Sequence, residues 1–291
     1  MKFVNFSLGS GAPRAGLLVD DQVFEAPRPT VQELLQLPSI SKPAAGGVPV
    51  GEVTLHAPLL YPGAIYCAGA NYADHVEEMA RAQKLPPPQD PRKLGLKPWF
   101  FMKPARACVV GPRARVARPR GSQKLDWEAE LVAVIGKPAR NVPVERALDH
   151  VAGYTIADDL SARDLSRRSA LPPGNPFHFD WTAHKGFEGS CPLGPWITPA
   201  AEVPDPQRLA IRLWVNGALK QDSNTSRMIF STAEQISHLS SVATLHPGDL
   251  VLTGTPAGVG AGRNEFLQPG DRVEIEIEGL GRLEHWIDEE R

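Results

Sequence analysis

The stretch KLDWEAELVAVIGKP, residues 124–138, constrains this chain more than any other. From Leu131 to Ile135 it is an unbroken apolar run, partly β-branched, with the composition of a strand buried in a sheet. The run is entered through Asp126, Glu128 and Glu130. Residues two apart in a strand share a face, so Glu128 and Glu130 stand side by side where the strand enters the core. Any fold that accepts this strand must accommodate those charges.

A second segment has the same character. VAGYTIADD reads as a strand that finishes in Asp158 and Asp159, and one short helix, PVERALDHV, separates it from the first. For a single Asp or Glu, a solvated strand end is the ordinary explanation. Two apolar strands that each carry carboxylates at one end weaken that explanation. If those ends converge, the like charges cannot all stay ionised unaided, and a divalent cation removes the conflict. Ligation by oxygen alone selects a hard ion, Mg²⁺ or Mn²⁺, over Zn²⁺. Three carboxylates on an octahedral ion leave positions for water or substrate. Cys67, Cys108 and Cys191 are far apart with no C-x-x-C, and read as reduced thiols rather than metal ligands.

Proline (29) and glycine (26) recur too often for a helical bundle and favour short strands and turns. With no βαβ series, the fold class expected is β-rich α+β. The first residues, KFVNFSL, AGLLVD and QVFEA, read as short strands with a turn at Asp20-Asp21. Thr30 and Glu33 form a capping-box pattern that opens a short helix stopped by Pro38, and SKPAAGGVPVG reads as a linker. A boundary near residue 57 gives a small N-terminal α/β domain, 1–57, and a catalytic domain, 58–291. Further on, GAIYCAGANYADHVEEMARAQ begins as a strand and turns helical after Asn71. The proline-broken KLPPPQDPRKLGLKPW has the length and irregularity of a functional lid. AIRLWVNGALKQD is a hairpin turning at Asn216-Gly217, and STAEQISHLSSVA a helix capped by Ser231 and Glu234.

A net charge of −2, from 31 basic and 33 acidic residues, marks no nucleic-acid binder. The opening MKFVNFSLGSGAPRAG breaks its apolar character too early for a signal peptide, and no stretch reaches membrane-spanning length. A cytoplasmic protein with no membrane or nucleic-acid partner is expected.

Other residues point the same way with less force. His75 and Glu78 are three apart on the expected helix, where a carboxylate beside an imidazole suits a general base. Taken alone, they read as an ordinary surface pair. Lys185 sits among aromatic and small residues, and Arg163 follows Asp159 by about one helical turn. TGTPAGVGAG lacks the Lys-Ser/Thr of a phosphate loop. It reads better as a glycine-rich loop whose Thr255 hydroxyl and backbone N–H groups bind a carboxylate.

These residues resemble the fumarylacetoacetate hydrolase superfamily. The resemblance is colinear from about Tyr61 to Gly281, through CAGANYADHVEEM, FFMKP, DWEAELVAVIGKP, GYTIADDLSARD, KGFEGSCPLGPWI, NGALKQDSNTSRMIF, HPGDLVLTGTPAGVG and GDRVEIEIEGLG. It implies a core built as a roll of mixed β-sheet, a homodimer, and a site for Mg²⁺ or Mn²⁺. By position it places the metal ligands at Glu128, Glu130 and Asp159 and a catalytic His–Glu pair at His75 and Glu78. The active-site lysine falls at Lys185, and the substrate contacts at Arg163, Lys185 and Thr255. Two departures stand out. Longer members carry a further Asp ligand seven residues before the histidine, where this chain has Ala68. Many carry Gln two residues after ARD, where this chain has Ser166.

The resemblance implies a small 2-oxo acid or 1,3-diketone substrate and, first, hydrolysis of a C–C bond in an acylpyruvate. Decarboxylation, hydration or lyase chemistry is the alternative, and a metal-binding paralogue without catalysis is a further one. Specificity is expected in residues 76–98 and in RRSALPPGNPFHFDW, where Phe177, His178 and Trp181 are candidates for a pocket wall.

Overall fold

The apolar run forms the strand Ala129–Ile135, all seven residues of which are buried. Its side chains divide by parity. Leu131, Ala133 and Ile135 join one hydrophobic core, and Val132 and Val134 join another. A strand buried on both faces needs a layer on each side, and the computed structural model, which describes residues 1–37, 40–41 and 46–290, supplies them.

The strand lies inside a 12-stranded mixed sheet. The antiparallel strand Val151–Asp158 flanks it on one edge and Leu250–Leu252, also antiparallel, on the other. Beyond Leu250–Leu252 come the parallel Ile65–Ala68 and then the edge strand Phe100–Lys103. Beyond Val151–Asp158 come Cys191–Pro199, Lys2–Ser7, Arg14–Val19, Gln22–Glu25 and Val48–Pro49. A five-stranded sheet, ordered Ala218–Asn224, Ala210–Val215, Arg272–Ile277, Gly281–Asp288 and Arg115–Ala117, covers one face. Its Ile211, Leu213, Ile275 and Leu283 share a core with Leu131, Ala133 and Ile135. The result is a strand-rich α+β fold of mixed sheets.

The N-terminal strands continue the same sheet, since Phe3 pairs with Ile197. Phe3, Leu17 and Leu34 share a core with Val132, Val134 and Leu252, so sheet and core both run across residue 57. Local sequence signals hold where they can be checked. Asp20 and Asp21 have φ of 48° and 62°, and Asn216 and Gly217 have φ of 50° and 78°. Both pairs give the left-handed two-residue turn that matches strand twist. Thr30 caps Val31–Leu34, and a full capping box at Ser231 and Glu234 opens the helix Thr232–Val242. Pro38 and residues 42–45 of the expected linker lie outside the described residues, and Val48–Pro49, further along that linker, pair as a strand with Gln22–Glu25 instead of running free. Residues 84–99 form neither helix nor strand. Among the described residues no helix is long and apolar enough to cross a membrane.

Candidate metal centre and active site

Antiparallel pairing explains why the acidic ends meet. Ala129 lies opposite Asp158 and Glu130 opposite Ala157, so the start of one strand stands beside the finish of the next. Parity then separates the two aspartates. Tyr154 and Ile156 point to the core under the five-stranded sheet, and Asp158 follows them. One oxygen of Asp158 accepts the Glu128 amide at 2.8 Å, and the other bonds Nε2 of the buried His285 at 2.8 Å. Asp159 falls with Glu128 and Glu130. All three are buried, with one carboxylate oxygen from each lying within 4.8 Å of the others.

Cations interleave with these acids. Lys185 Nζ bridges Glu128 Oε2 at 2.8 Å and Asp159 Oδ2 at 2.6 Å. Arg163 joins Asp126 Oδ2 through Nε at 2.8 Å and Glu128 Oε1 through Nη2 at 2.5 Å. Lys103, with a fully buried side chain, lies 2.7 Å from Asp159 Oδ1. Burial alone pushes the Glu128 carboxyl up, but Lys185 and Arg163 outweigh burial and hold it well below the usual range. Glu130 goes the other way: burial, then Asp159 and Glu128, raise it well above the usual value. Burial also raises Asp126 despite Arg163. Environment therefore splits two glutamates on one strand face into an ionised member and a readily protonated one.

The glycine-rich loop directs its amides at the protein's own carboxylates. Gly254 N–H donates to Glu130 Oε2 at 2.6 Å, Gly258 N–H to Glu78 Oε2 at 2.9 Å, and Gly260 N–H to Asp126 Oδ1 at 2.6 Å. Gly258 has φ of 104°, and a Cβ there would lie 2.2 Å from the Lys220 carbonyl, so this turn requires glycine. Thr255 Oγ1 accepts from Gln221 Nε2 at 2.9 Å.

The helix Ala73–Ala82 carries His75 and Glu78 to the same place, but less tightly than a dyad. His75 Nδ1 lies 4.0 Å from Glu78 Oε2, an ion-pair separation beyond hydrogen-bond reach, and Nδ1 is buried without a partner. Burial raises Glu78, and His75 with the Gly258 amide more than offset it, leaving the carboxyl below its usual value.

A cavity of about 150 Å³ connects these parts. Its wall includes Ala68, His75, Glu128, Glu130, Arg163, Lys185 and Thr255, with Trp99, Phe101 and Trp181 as an aromatic side. Trp181 thus reaches the pocket that the sequence suggested, whereas Phe177 is 71% exposed and His178 bonds the Leu171 carbonyl at 2.9 Å. Ser166 turns back to the Arg163 carbonyl at 2.7 Å. His184, which sequence reasoning passed over, also lines the cavity. Burial, with Lys185 and Arg163 nearby, lowers it to about 2, so it is neutral at ordinary pH.

The donor set fits a hard divalent ion: three buried carboxylates with no sulfur or imidazole among them. Such an ion would be held by Glu128, Glu130 and Asp159.

Comparison with known proteins agrees with this geometry. The family profile described as fumarylacetoacetate (FAA) hydrolase C-terminal matches residues 64–288. A mitochondrial oxaloacetate tautomerase of Bos taurus is 40% identical over 287 residues, covering 94% of this chain and 85% of its own. Among solved structures, a fumarylacetoacetate hydrolase from psychrophilic Exiguobacterium antarcticum superposes with a TM-score of 0.82 at 32% identity, covering 100% of both chains. A maleylpyruvate hydrolase from Sphingobium sp. SYK-6, solved with manganese(II) and pyruvate, superposes with a TM-score of 0.74 at 27% identity, again over 100% of both chains.

Proposed function

This chain belongs to the fumarylacetoacetate hydrolase family, and we propose that it interconverts the enol and keto forms of a small 2-oxo acid of the oxaloacetate type, with Mg²⁺ or Mn²⁺ bound. The observation that carries this reading is the cavity itself. In about 150 Å³ it sets two imidazoles, His75 and His184, two of the three candidate ligand carboxylates, Glu128 and Glu130, and two cations against an aromatic wall, which suits a substrate of a few carbons. The likeness to an oxaloacetate tautomerase over 94% of the chain supports the same choice.

The ion would act as a Lewis acid on the 2-oxo group, acidifying the neighbouring C–H. His75 takes that proton from C3, and the carbonyl oxygen gains one, which converts keto to enol; the reverse transfers return the ketone. Glu78 Oε2 stands 4.0 Å from His75 Nδ1, on the imidazole's side of the cavity. Lys185 and Arg163 supply positive charge where the enolate oxygen develops. Thr255 offers a hydroxyl to the substrate carboxylate, and Trp99, Phe101 and Trp181 keep water from the reacting carbon.

Hydrolysis of an acylpyruvate C–C bond is the second reading. The His75–Glu78 pair favours it, because hydrolysis needs a base to deprotonate an attacking water. One assay separates the two. Mn²⁺-loaded protein is mixed with freshly dissolved enol-oxaloacetate, and loss of the enol absorbance is followed beside CO₂ release. A parallel panel of acylpyruvates is followed by pyruvate release. Faster enol loss without CO₂, abolished in His75→Ala, is expected. Pyruvate release from the panel with oxaloacetate untouched would replace the first reading with the second. Inertness toward all of these substrates in a protein that binds Mn²⁺ would refute both.

A further inference from the structure

Lys103 is a lysine without solvent. Its side chain is 0% exposed, at the end of the edge strand Phe100–Lys103. An ammonium has three protons, and here the carbonyls of Lys185 (2.7 Å), Ser190 (2.8 Å) and Leu160 (3.2 Å) take them. The fourth contact, 2.7 Å to Asp159 Oδ1, is an ion pair without an aligned proton. Backbone from two segments, at Leu160 and across Lys185–Ser190, therefore fixes this cation against one oxygen of a metal-binding carboxylate. Lys185 differs: it is held by the carboxylate oxygens Glu128 Oε2 and Asp159 Oδ2 and by one carbonyl, that of Asp159, at 3.2 Å. An arriving cation competes with Lys185 for its partners but leaves those of Lys103 untouched.

The other two carboxylates are restricted in the same sense. Glu128 Oε1 is taken by Arg163 at 2.5 Å and Glu130 Oε2 by the Gly254 amide at 2.6 Å. Each acid thus has one oxygen held by a group other than Lys185, and at Glu128 and Asp159 the second oxygen is held by Lys185, the cation with which an arriving ion competes. We propose that Lys103 is a positioning residue of the divalent-cation site, whose backbone-anchored ammonium reserves Asp159 Oδ1 and limits Asp159 to one oxygen, so that the site prefers a small six-coordinate ion to Ca²⁺. The physical basis is coordination number. Ca²⁺ takes six to eight oxygens and readily uses carboxylates two oxygens at a time, whereas Mg²⁺ and Mn²⁺ suit six single oxygens. A fixed positive charge beside Oδ1 repels any second cation that approaches that oxygen.

This inference rests on the metal site of the proposed function, and its test reads binding rather than turnover. Calorimetry of the full chain with Mn²⁺ alone and Ca²⁺ alone gives the ratio of the two dissociation constants for wild type and for Lys103→Met. Circular dichroism and melting in chelator establish that the variant is folded. Removing a cation and loosening Asp159 push absolute affinity in opposite directions, so the ratio is decisive. The preference for Mn²⁺ is expected to fall roughly tenfold or more, the usual scale for groups that orient a metal ligand. A folded variant with a ratio within threefold of wild type would overturn the proposal. A crystal of wild type grown with Mn²⁺ tests it without a variant: Asp159 bound through Oδ2 alone supports it, and Asp159 bound through both oxygens overturns it. Failure to bind either ion removes the metal site and the proposed function together. Selective Mn²⁺ binding without enol–keto turnover removes only the function.

Discussion

Glu130→Gln should make the metal-free protein more stable while depriving it of its ion. The Glu130 carboxyl is buried beside Glu128 and Asp159, with ligand oxygens within 4.8 Å, where each like-charge pair is worth on the order of 3 kcal/mol at an effective dielectric near 20. Burial and those two neighbours raise its folded pKa well above the ordinary 4.5. An acid raised on folding holds its proton more tightly in the native state. Its contribution is therefore complete below the unfolded pKa and is lost as pH rises through the folded one, at about 1.4 kcal/mol per pH unit. Glutamine keeps the shape and can still accept from the Gly254 amide, but has no proton to lose. In chelator, urea unfolding from pH 5 to 9 should show the variant gaining on wild type by about that slope, then a plateau at the folded pKa. Glu128 does not blur the window: its depressed pKa makes its contribution complete above 4.5 and lost only as pH falls below. With Mn²⁺ at a hundred times its dissociation constant, wild type should gain about 2.7 kcal/mol and the variant little, which tests the ligand role independently. Parallel stability curves across the pH range would refute the charge-crowding argument, whatever the metal result.

Two further changes probe the surroundings. Lys185→Met leaves Glu128 Oε2 and Asp159 Oδ2 without their shared cation, so unfolding in chelator should show a loss of about 3–5 kcal/mol that shrinks when Mn²⁺ is added. Glu128 and Asp159 raise Lys185 despite its burial, so that stabilisation is present below the ordinary lysine pKa and the deficit should persist from pH 6 to 9. Trp127→Ala removes a fully buried indole whose Nε1 donates to the Gly258 carbonyl at 3.0 Å. A loss of about 3–5 kcal/mol is expected from the cavity, with weaker Mn²⁺ binding as the glycine loop relaxes; unchanged unfolding midpoints would contradict both.

Local rules carried the sequence a long way into this fold. Asp20-Asp21 and Asn216-Gly217 turn as written, and the caps at Thr30 and Ser231 form, because each depends on a few adjacent residues. The convergence of Glu128, Glu130 and Asp159 was legible for the same reason, since a short connection between two strands makes them antiparallel neighbours. Lys103 and His285 were not. A lysine is ordinarily solvated, and nothing near FFMKP signals that three distant carbonyls will surround its ammonium. His285 meets Asp158 across 127 residues, between two sheets. Arg163 lines the cavity, and two of its nitrogens also hold Asp126 and Glu128, a second use that appears only once the loop carrying it folds back on Leu125–Asp126.

These partners also explain how so much charge stays buried. Asp126, Glu128, Glu130 and Asp159 face Lys103, Lys185 and Arg163, so with every group ionised the cluster carries one excess negative charge. A divalent ion reverses it to one excess positive charge, and a single substrate carboxylate then brings it to neutrality. Each step supplies the sign the next requires, which favours the ion binding before the acid. Without the ion, the excess negative charge is relieved most readily at Glu130, the carboxyl that burial and its two neighbours raise most strongly. The protonation that steadies the metal-free protein is thus the one that ion binding must undo, so Mn²⁺ binding should release a proton from a site whose other two ligands are crowded by lysines.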